Sequence, residues 1–173
     1  MIAFVRRALV ALVLGAGLAV APVAAAHAAE PPVWSSWDVA HSGQCMDVPN
    51  WGTNNKLQLQ QSPCNGSTAQ LFNLEPVGNE GFYLIRNYNS GKCLDVRDRS
   101  KSNNAAVQQY TCHGDTNQWW FKIEILTVPG YYHFVNRNSW KCLTVRDGSI
   151  LALAKLVQYD CNPGNVTTHQ AWR

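Results

Sequence analysis

Past its first thirty residues, the hydrophobic positions of this chain fall in short pieces of strand character, with no apolar stripe at helical spacing. The pieces recur in a fixed order. Trp37-Asp38-Val39, Gly81-Phe82-Tyr83-Leu84-Ile85 and Tyr131-Tyr132-His133-Phe134-Val135 are rich in aromatic and β-branched residues, as strands are. After them come Gly43-Gln44-Cys45-Met46-Asp47-Val48, Gly91-Lys92-Cys93-Leu94-Asp95-Val96 and Trp140-Lys141-Cys142-Leu143-Thr144-Val145. Leu57-Gln58-Leu59-Gln60, Val107-Gln108-Gln109-Tyr110 and Leu156-Val157-Gln158-Tyr159 follow, and then the triplets Gln70-Leu71-Phe72, Gln118-Trp119-Trp120 and Gln170-Ala171-Trp172. The pattern predicts four short strands in each of three repeats, at about 34–76, 81–126 and 130–173. Turn-forming stretches, Pro76 to Gly81 and Thr127 to Gly130, punctuate the joints. Twelve strands in three equivalent units predict a closed all-β body, which leaves no sheet edge exposed.

The cysteines carry the same period. Cys45 and Cys64, Cys93 and Cys112, and Cys142 and Cys161 are each 19 positions apart. Six cysteines allow 15 pairings, but if the repeats are built alike each must close its own loop. Each such loop is worth about 3 kcal/mol against the unfolded chain. A zinc site would want clustered pairs two to four residues apart, and the sequence has none, so neither a metal nor any cofactor is expected.

The opening residues read as a secretory signal over 1–29. Arg6 and Arg7 precede an apolar run from Ala8 to Val20, and a small-residue stretch follows to Ala29. The run is shorter than the ~20 residues of a spanning helix, so a secreted, extracellular protein is expected, with no membrane insertion. Oxidised cysteines suit that compartment. What remains, 30–173, is the length of one domain and leaves no room for a separate catalytic module. Removing Arg6 and Arg7 from the 14 basic residues leaves 12 against 11 acidic, a net of +1, which offers nothing to nucleic acid.

Cys93-Leu94-Asp95-Val96, Val107-Gln108-Gln109-Tyr110-Thr111-Cys112 and the Gln-x-Trp triplets, in register over about Trp34 to Trp172, resemble the ricin-type β-trefoil lectin domains, a fold shared with many bacterial carbohydrate-binding modules. The resemblance implies a β-trefoil of three four-stranded repeats and a binder of galactose-type or xylan-type sugars. It also implies that the triplet aromatic and glutamine build the core and brace the site. Two departures stand out: Phe72 replaces tryptophan in the first triplet, and the chain stops one residue after Trp172, so its last strand must be short.

A sugar has a hydroxyl-bearing polar side and an apolar C–H face, so a binding site needs a carboxylate or amide fork and one aromatic plate. The second repeat has the full set: Asp95, with Gln108, Tyr110, His113 and Asn117 at +13, +15, +18 and +22, and Gln118 directly behind. In ricin-type sites, residues at these positions line one shallow pocket, which makes Asp95 the acceptor, Tyr110 the plate and Gln118 a brace for the acid. The first repeat keeps Asp47 and Gln60 but has Ser62 where the plate should stand and Ala69 in place of the asparagine. The third keeps Tyr159 and Asn162 but has Thr144 for the acid, with Val157 and His169 for the amides. A hydroxyl cannot imitate a two-oxygen acceptor. The first and third sites are therefore expected to be degraded, with the alternative that Asp95 merely orders a turn, since the survival of Asp47 beside a missing plate suggests a structural use for the acid.

Trp51 and Trp140 stand in loop-like segments, where packing under the loops is expected and an exposed glycan platform is the alternative. Arg97, Arg99 and Lys101 read as a solvated basic run, with an acidic sugar as the other reading. Asn65-Gly66-Ser67 and Asn165-Val166-Thr167 match the glycosylation sequon without implying a function. Glycoside hydrolysis takes two facing carboxylates, and the candidate site supplies one, so no catalysis is expected. The reading from another class is a trefoil scaffold, such as a peptidase inhibitor or protein-interaction module acting through its loops.

Overall fold

The alternation of Leu94 and Val96 with Cys93 and Asp95 sends two side chains into the apolar core and the other two to the opposite, also buried, face, and this choice, made three times, organises the structure. A computed structural model describes residues 31–162 and 168–173. The signal segment and the Asn165 sequon lie outside the described residues. Eleven strands run in chain order: β1 (Cys45–Asp47), β2 (Leu57–Gln58), β3 (Gln60–Ser62), β4 (Phe72–Val77), β5 (Phe82–Asn87), β6 (Cys93–Val96), β7 (Val107–Tyr110), β8 (Trp119–Glu124), β9 (Tyr132–Asn136), β10 (Cys142–Val145) and β11 (Leu156–Tyr159). The helical pieces among the described residues are single 3-10 turns.

Two of the twelve expected strands shrink to isolated bridges, and the one expected over 57–60 divides into β2 and β3, which gives the eleven. The segment around Trp37 pairs only through Ser35, Asp38 and Val39, and the last strand only through Trp172. These bridges nevertheless complete a barrel. β4 pairs with β5, β5 with β8 and β8 with β9, all antiparallel, and the ring closes through Tyr132 to Trp172, Trp172 to Val39, and Ser35 to Phe72. A cap of three hairpins, β1–β3, β6–β7 and β10–β11, completes the β-trefoil. The hairpins are tied to one another by β2 on β7 and by the bridges Ala106 to Val157 and Gln60 to Lys155. Each hairpin is also closed by its own disulfide, Cys45–Cys64, Cys93–Cys112 and Cys142–Cys161, with Cα separations of 5.0, 5.2 and 5.0 Å.

The core is filled in threes. Met46, Leu94 and Leu143 form one layer, Val48, Val96 and Val145 another, and Leu59, Val107 and Leu156 a third. Phe72, Trp120 and Trp172 fill the barrel beside Trp37, Ile85 and Phe134. The Trp120 and Trp172 indoles donate to the carbonyls of Leu94 and Leu143 at 3.2 and 3.1 Å, so the triplet aromatic also fixes the strand that carries the acid position. Phe72 has no such donor.

Candidate functional site

Antiparallel register sets the site. Asp95 stands directly opposite Gln108 in the β6–β7 hairpin, as Asp47 stands opposite Gln60 and Thr144 opposite Val157. Cross-strand neighbours touch, so the spacing of thirteen becomes a contact. The Gln108 Nε2 donates to Asp95 Oδ1 at 2.9 Å, while the other carboxylate oxygen accepts from Asn117 Nδ2 at 2.7 Å and Gln118 Nε2 at 3.1 Å. His113 Nε2 lies 3.3 Å from the same oxygen. Asp95, Gln108, Asn117 and Gln118 are all buried.

A cavity of about 240 Å³ opens over this carboxylate, and Asp95, Gln108, Tyr110, His113 and Asn117 all line it. The five sequence-predicted site residues are thus brought to one hollow. Gln118 lies behind it, fully buried, where its amide also donates to the Thr111 carbonyl and its Oε1 accepts from the His113 backbone N–H. Tyr110 is partly exposed and meets the His113 ring edge-on, with centroids 5.9 Å apart. Asn117 Oδ1 is buried and has no partner within the protein.

Three contributors were not legible as such. Arg97 is no idle solvated charge: its Nε donates to Gln108 Oε1 at 2.8 Å, which fixes the amide with its NH₂ toward Asp95. Arg99 lines the cavity and is paired with Asp115, whose carboxyl it holds below the usual range. Lys56 reaches the same cavity from the first repeat. A further set, Gln61, Gln109 and Gln158, is fully buried and clamps the wall loops. Each side-chain amide donates to two loop carbonyls, those of Ser149 and Leu151, Gly52 and Asn54, and Ser100 and Ser102. Their recurrence as Gln61, Gln109 and Gln158 after the strand glutamine position was the available signal.

The first repeat repeats the back wall. Gln60 Nε2 donates to Asp47 Oδ1 at 2.9 Å, Gln70 Nε2 lies 3.3 Å from Oδ2, and Lys155 Nζ takes the part of Arg97 by donating to Gln60 Oε1 at 2.8 Å. Burial raises the Asp47 pKa above its ordinary value, against the lowering effect of the two amides and Lys155. In the third repeat the Thr144 hydroxyl donates to the Cys142 carbonyl at 2.8 Å and accepts from Gln170 at 3.0 Å, so its hydrogen is committed inside the fold. Tyr159 is exposed, Asn162 lies beside the Cys161 loop and Val157 is core.

The two loop tryptophans depart from expectation. Trp51 is 59% exposed and Trp140 65%, and both take a left-handed backbone, φ 52° and 58°. Among the described residues there is no cluster of three His, Cys, Asp or Glu able to hold a metal, and no helix is long and apolar enough to cross a membrane.

The sequence matches the family model described as ricin-type beta-trefoil lectin domain-like over residues 37–110 and 77–159. No curated protein sequence matches the chain. Among solved structures, the designed three-fold symmetric protein ThreeFoil is 34% identical with a TM-score of 0.76, over 81% of this chain and 96% of that one. The exo-beta-1,3-galactanase 1,3Gal43A of Clostridium thermocellum is 33% identical with a TM-score of 0.74, over 80% of this chain; the match spans only 29% of that enzyme. The Rhizoctonia solani agglutinin shares the fold, with a TM-score of 0.72 at 14% identity over 86% of this chain and 97% of its own.

Proposed function

The chain belongs to the ricin-type β-trefoil lectin-like domains, and from that premise we propose that it is a secreted, non-catalytic protein binding galactose-type or xylan-type sugars through the hollow over Asp95. One observation carries the reading. The hollow joins an anionic acceptor and an orphaned amide oxygen, Asn117 Oδ1, to an aromatic face, Tyr110, within one cavity of about 240 Å³. That is smaller than the roughly 300–1,000 Å³ of pockets for drug-sized ligands and suits one sugar ring. Asp95 Oδ1 has a single protein donor, so a lone pair remains for a hydroxyl, and a bond to a carboxylate is about twice as strong as a neutral one. Asn117 Oδ1 takes a second hydroxyl. The Tyr110 ring covers the C–H face, worth about 1 to 2 kcal/mol from ~60 Å² of apolar contact.

Binding without catalysis fits the single carboxylate at the back of the hollow. Asp98, the other carboxylate on its wall, sits in the same 3-10 turn as Arg97 and Arg99. The galactanase relative names a β-1,3-galactan-degrading enzyme, which favours galactose-type ligands for this chain. Affinity for one monosaccharide should be near millimolar, from roughly 0.3 kcal/mol per heavy atom over about a dozen atoms. A glycan screen on the oxidised protein, followed by calorimetry, tests the proposal. Asp95→Ala abolishes the heat of binding at this hollow, and Thr144→Ala leaves it intact. A blank screen, or equal losses in the two variants, overturns it.

A further inference from the structure

Strand alternation carries the inner face of the barrel two residues past the triplet aromatics, from Phe72 to Leu74 on β4 and from Trp120 to Lys122 on β8. The second repeat thus places a lysine where the first places a leucine. Both side chains line a cavity of about 250 Å³, whose wall Val33, Ser35, Trp37 and Phe72 continue. None of these residues lines the hollows over Asp95 and Asp47.

Lys122 is the anomaly in this wall. It is half-buried, and among the described residues it has neither an ion pair nor a hydrogen bond. Its Nζ lies against two rings instead, 3.8 Å from the centroid of Tyr132 and 5.0 Å from that of Trp37. Ring faces hold an ammonium without neutralising it, and two of them engage at most two of its three N–H bonds. Burial pushes its pKa below the usual lysine value, and Glu124, whose charge works the other way, does not offset this. A second donor is also unmet: the Trp37 indole N–H is buried and has no acceptor in the protein. Ammonium and indole groups only donate, so what this wall lacks is an acceptor, and the unpaired charge calls for an anionic one. Val33, Phe72 and Leu74 beside it call for an apolar body.

We infer that this cavity is a second ligand site, separate from the sugar hollows, for a small amphiphilic carboxylate whose acid pairs with Lys122 and whose ring or short chain lies against Phe72, Leu74 and Val33. The volume is below the roughly 300–1,000 Å³ of pockets for drug-sized ligands, which suits one ring or a short chain. An ammonium–carboxylate bond is among the stronger hydrogen bonds, and the cation is already held in place by Tyr132 and Trp37. The Ser35 hydroxyl, which has no partner among the described residues, supplies a further donor on the same wall. A neutral sugar fits less well, because it leaves the ammonium without a countercharge.

NMR of the intact oxidised protein tests this with 3-phenylpropionate and its uncharged counterpart 3-phenylpropan-1-ol. The acid should shift the Trp37 indole N–H and the Leu74 methyls and leave the Gln108 side-chain amide unmoved. The alcohol should bind about tenfold more weakly, the loss expected when a hydrogen bond to a charged group is removed. Lys122→Met, which keeps the apolar stem, should weaken the acid by about the same factor and leave the alcohol unchanged, while Lys122→Arg retains the acid. The comparison of acid with alcohol uses the wild type alone and so decides the matter even if Lys122→Met does not fold. Equal binding of acid and alcohol, or no shift at Trp37 and Leu74 with the acid, overturns the inference. Neither result touches the proposed function, which is read separately from the response of Gln108 to sugar.

Discussion

Replacing Asp95 by asparagine keeps shape and removes a charge, and the polarity of its surroundings makes the cost calculable. The carboxylate receives Gln108 on Oδ1 and Asn117, Gln118 and His113 on Oδ2. An asparagine amide must place its NH₂ against one of these sets. The cheaper choice faces Gln108 Nε2, and Gln108 would then have to turn over. Arg97 blocks that turn, because its Nε at 2.8 Å would meet the inverted NH₂. A buried donor is thus left facing a donor, a loss of about 1 to 3 kcal/mol. For a domain between the reference sizes, 2 kcal/mol lowers Tm by roughly 6 to 10 °C. Arg97→Ala releases the block, so Asp95→Asn should cost at least ~1 kcal/mol less in that background. Differential scanning calorimetry of the wild type, both single variants and the double variant closes the cycle. If Asp95→Asn costs the same with and without Arg97, the amide is not locked and the account of the site is wrong.

Other outcomes follow from the same geometry. Burial raises the Asp47 pKa above the ordinary 3.8, so a ¹³C NMR titration of its carboxyl carbon should place the midpoint above that value. Lys155 is a countercharge that lowers it, so Lys155→Met should move that midpoint to still higher pH. Burial and His41 lower the His169 pKa below 6.5, so the unfolded chain binds the proton first and stability is lost as pH drops through 6.5. Unfolding in urea at pH 7.5 and 5.5 should show this loss, and His169→Asn should shrink it. Replacing Cys93 and Cys112 together by alanine should cost about 3 kcal/mol in urea, and a loss under 1 kcal/mol would show that the loop is already ordered without its crosslink.

The fold was legible because its signals are local and repeated. Strand pieces, turn residues and the 19-residue cysteine spacing each lie within one repeat, and three copies in register leave little freedom. The barrel positions at Trp37 and Trp172 read as strands and shortened to bridges, because their pairings are isolated and do not run on between successive residues of one partner strand. At the site, Asp95, Gln108, Tyr110, His113 and Asn117 were legible for the same reason: a hairpin register and its following loop bring them together.

The side walls were not legible, and their origin explains why. Lys56 reaches the second hollow from the first repeat, 39 residues before Asp95, and Leu153 reaches the first hollow from the third, 106 residues after Asp47. What carries them there is the inter-hairpin pairing and the buried clamps Gln61 and Gln109, neither of which a reading confined to one repeat can supply. Judged repeat by repeat, Ser62 marks the first site as lacking its plate. Across the threefold axis, Trp51 stands where the second repeat has Arg99 and the third Gly148, at a turn whose backbone is the same in all three copies and whose side chain is free to differ. The scaffold therefore separates two tasks. Hairpin register fixes the acid and amide, while the clamped loops set whether those groups look out between charges or between apolar faces. Exchanging the loop residues alone, Trp51 with Arg99 and Leu153 with Lys56, should leave the unfolding transition within a few degrees of the wild type, because these side chains line the hollows and take no part in the core.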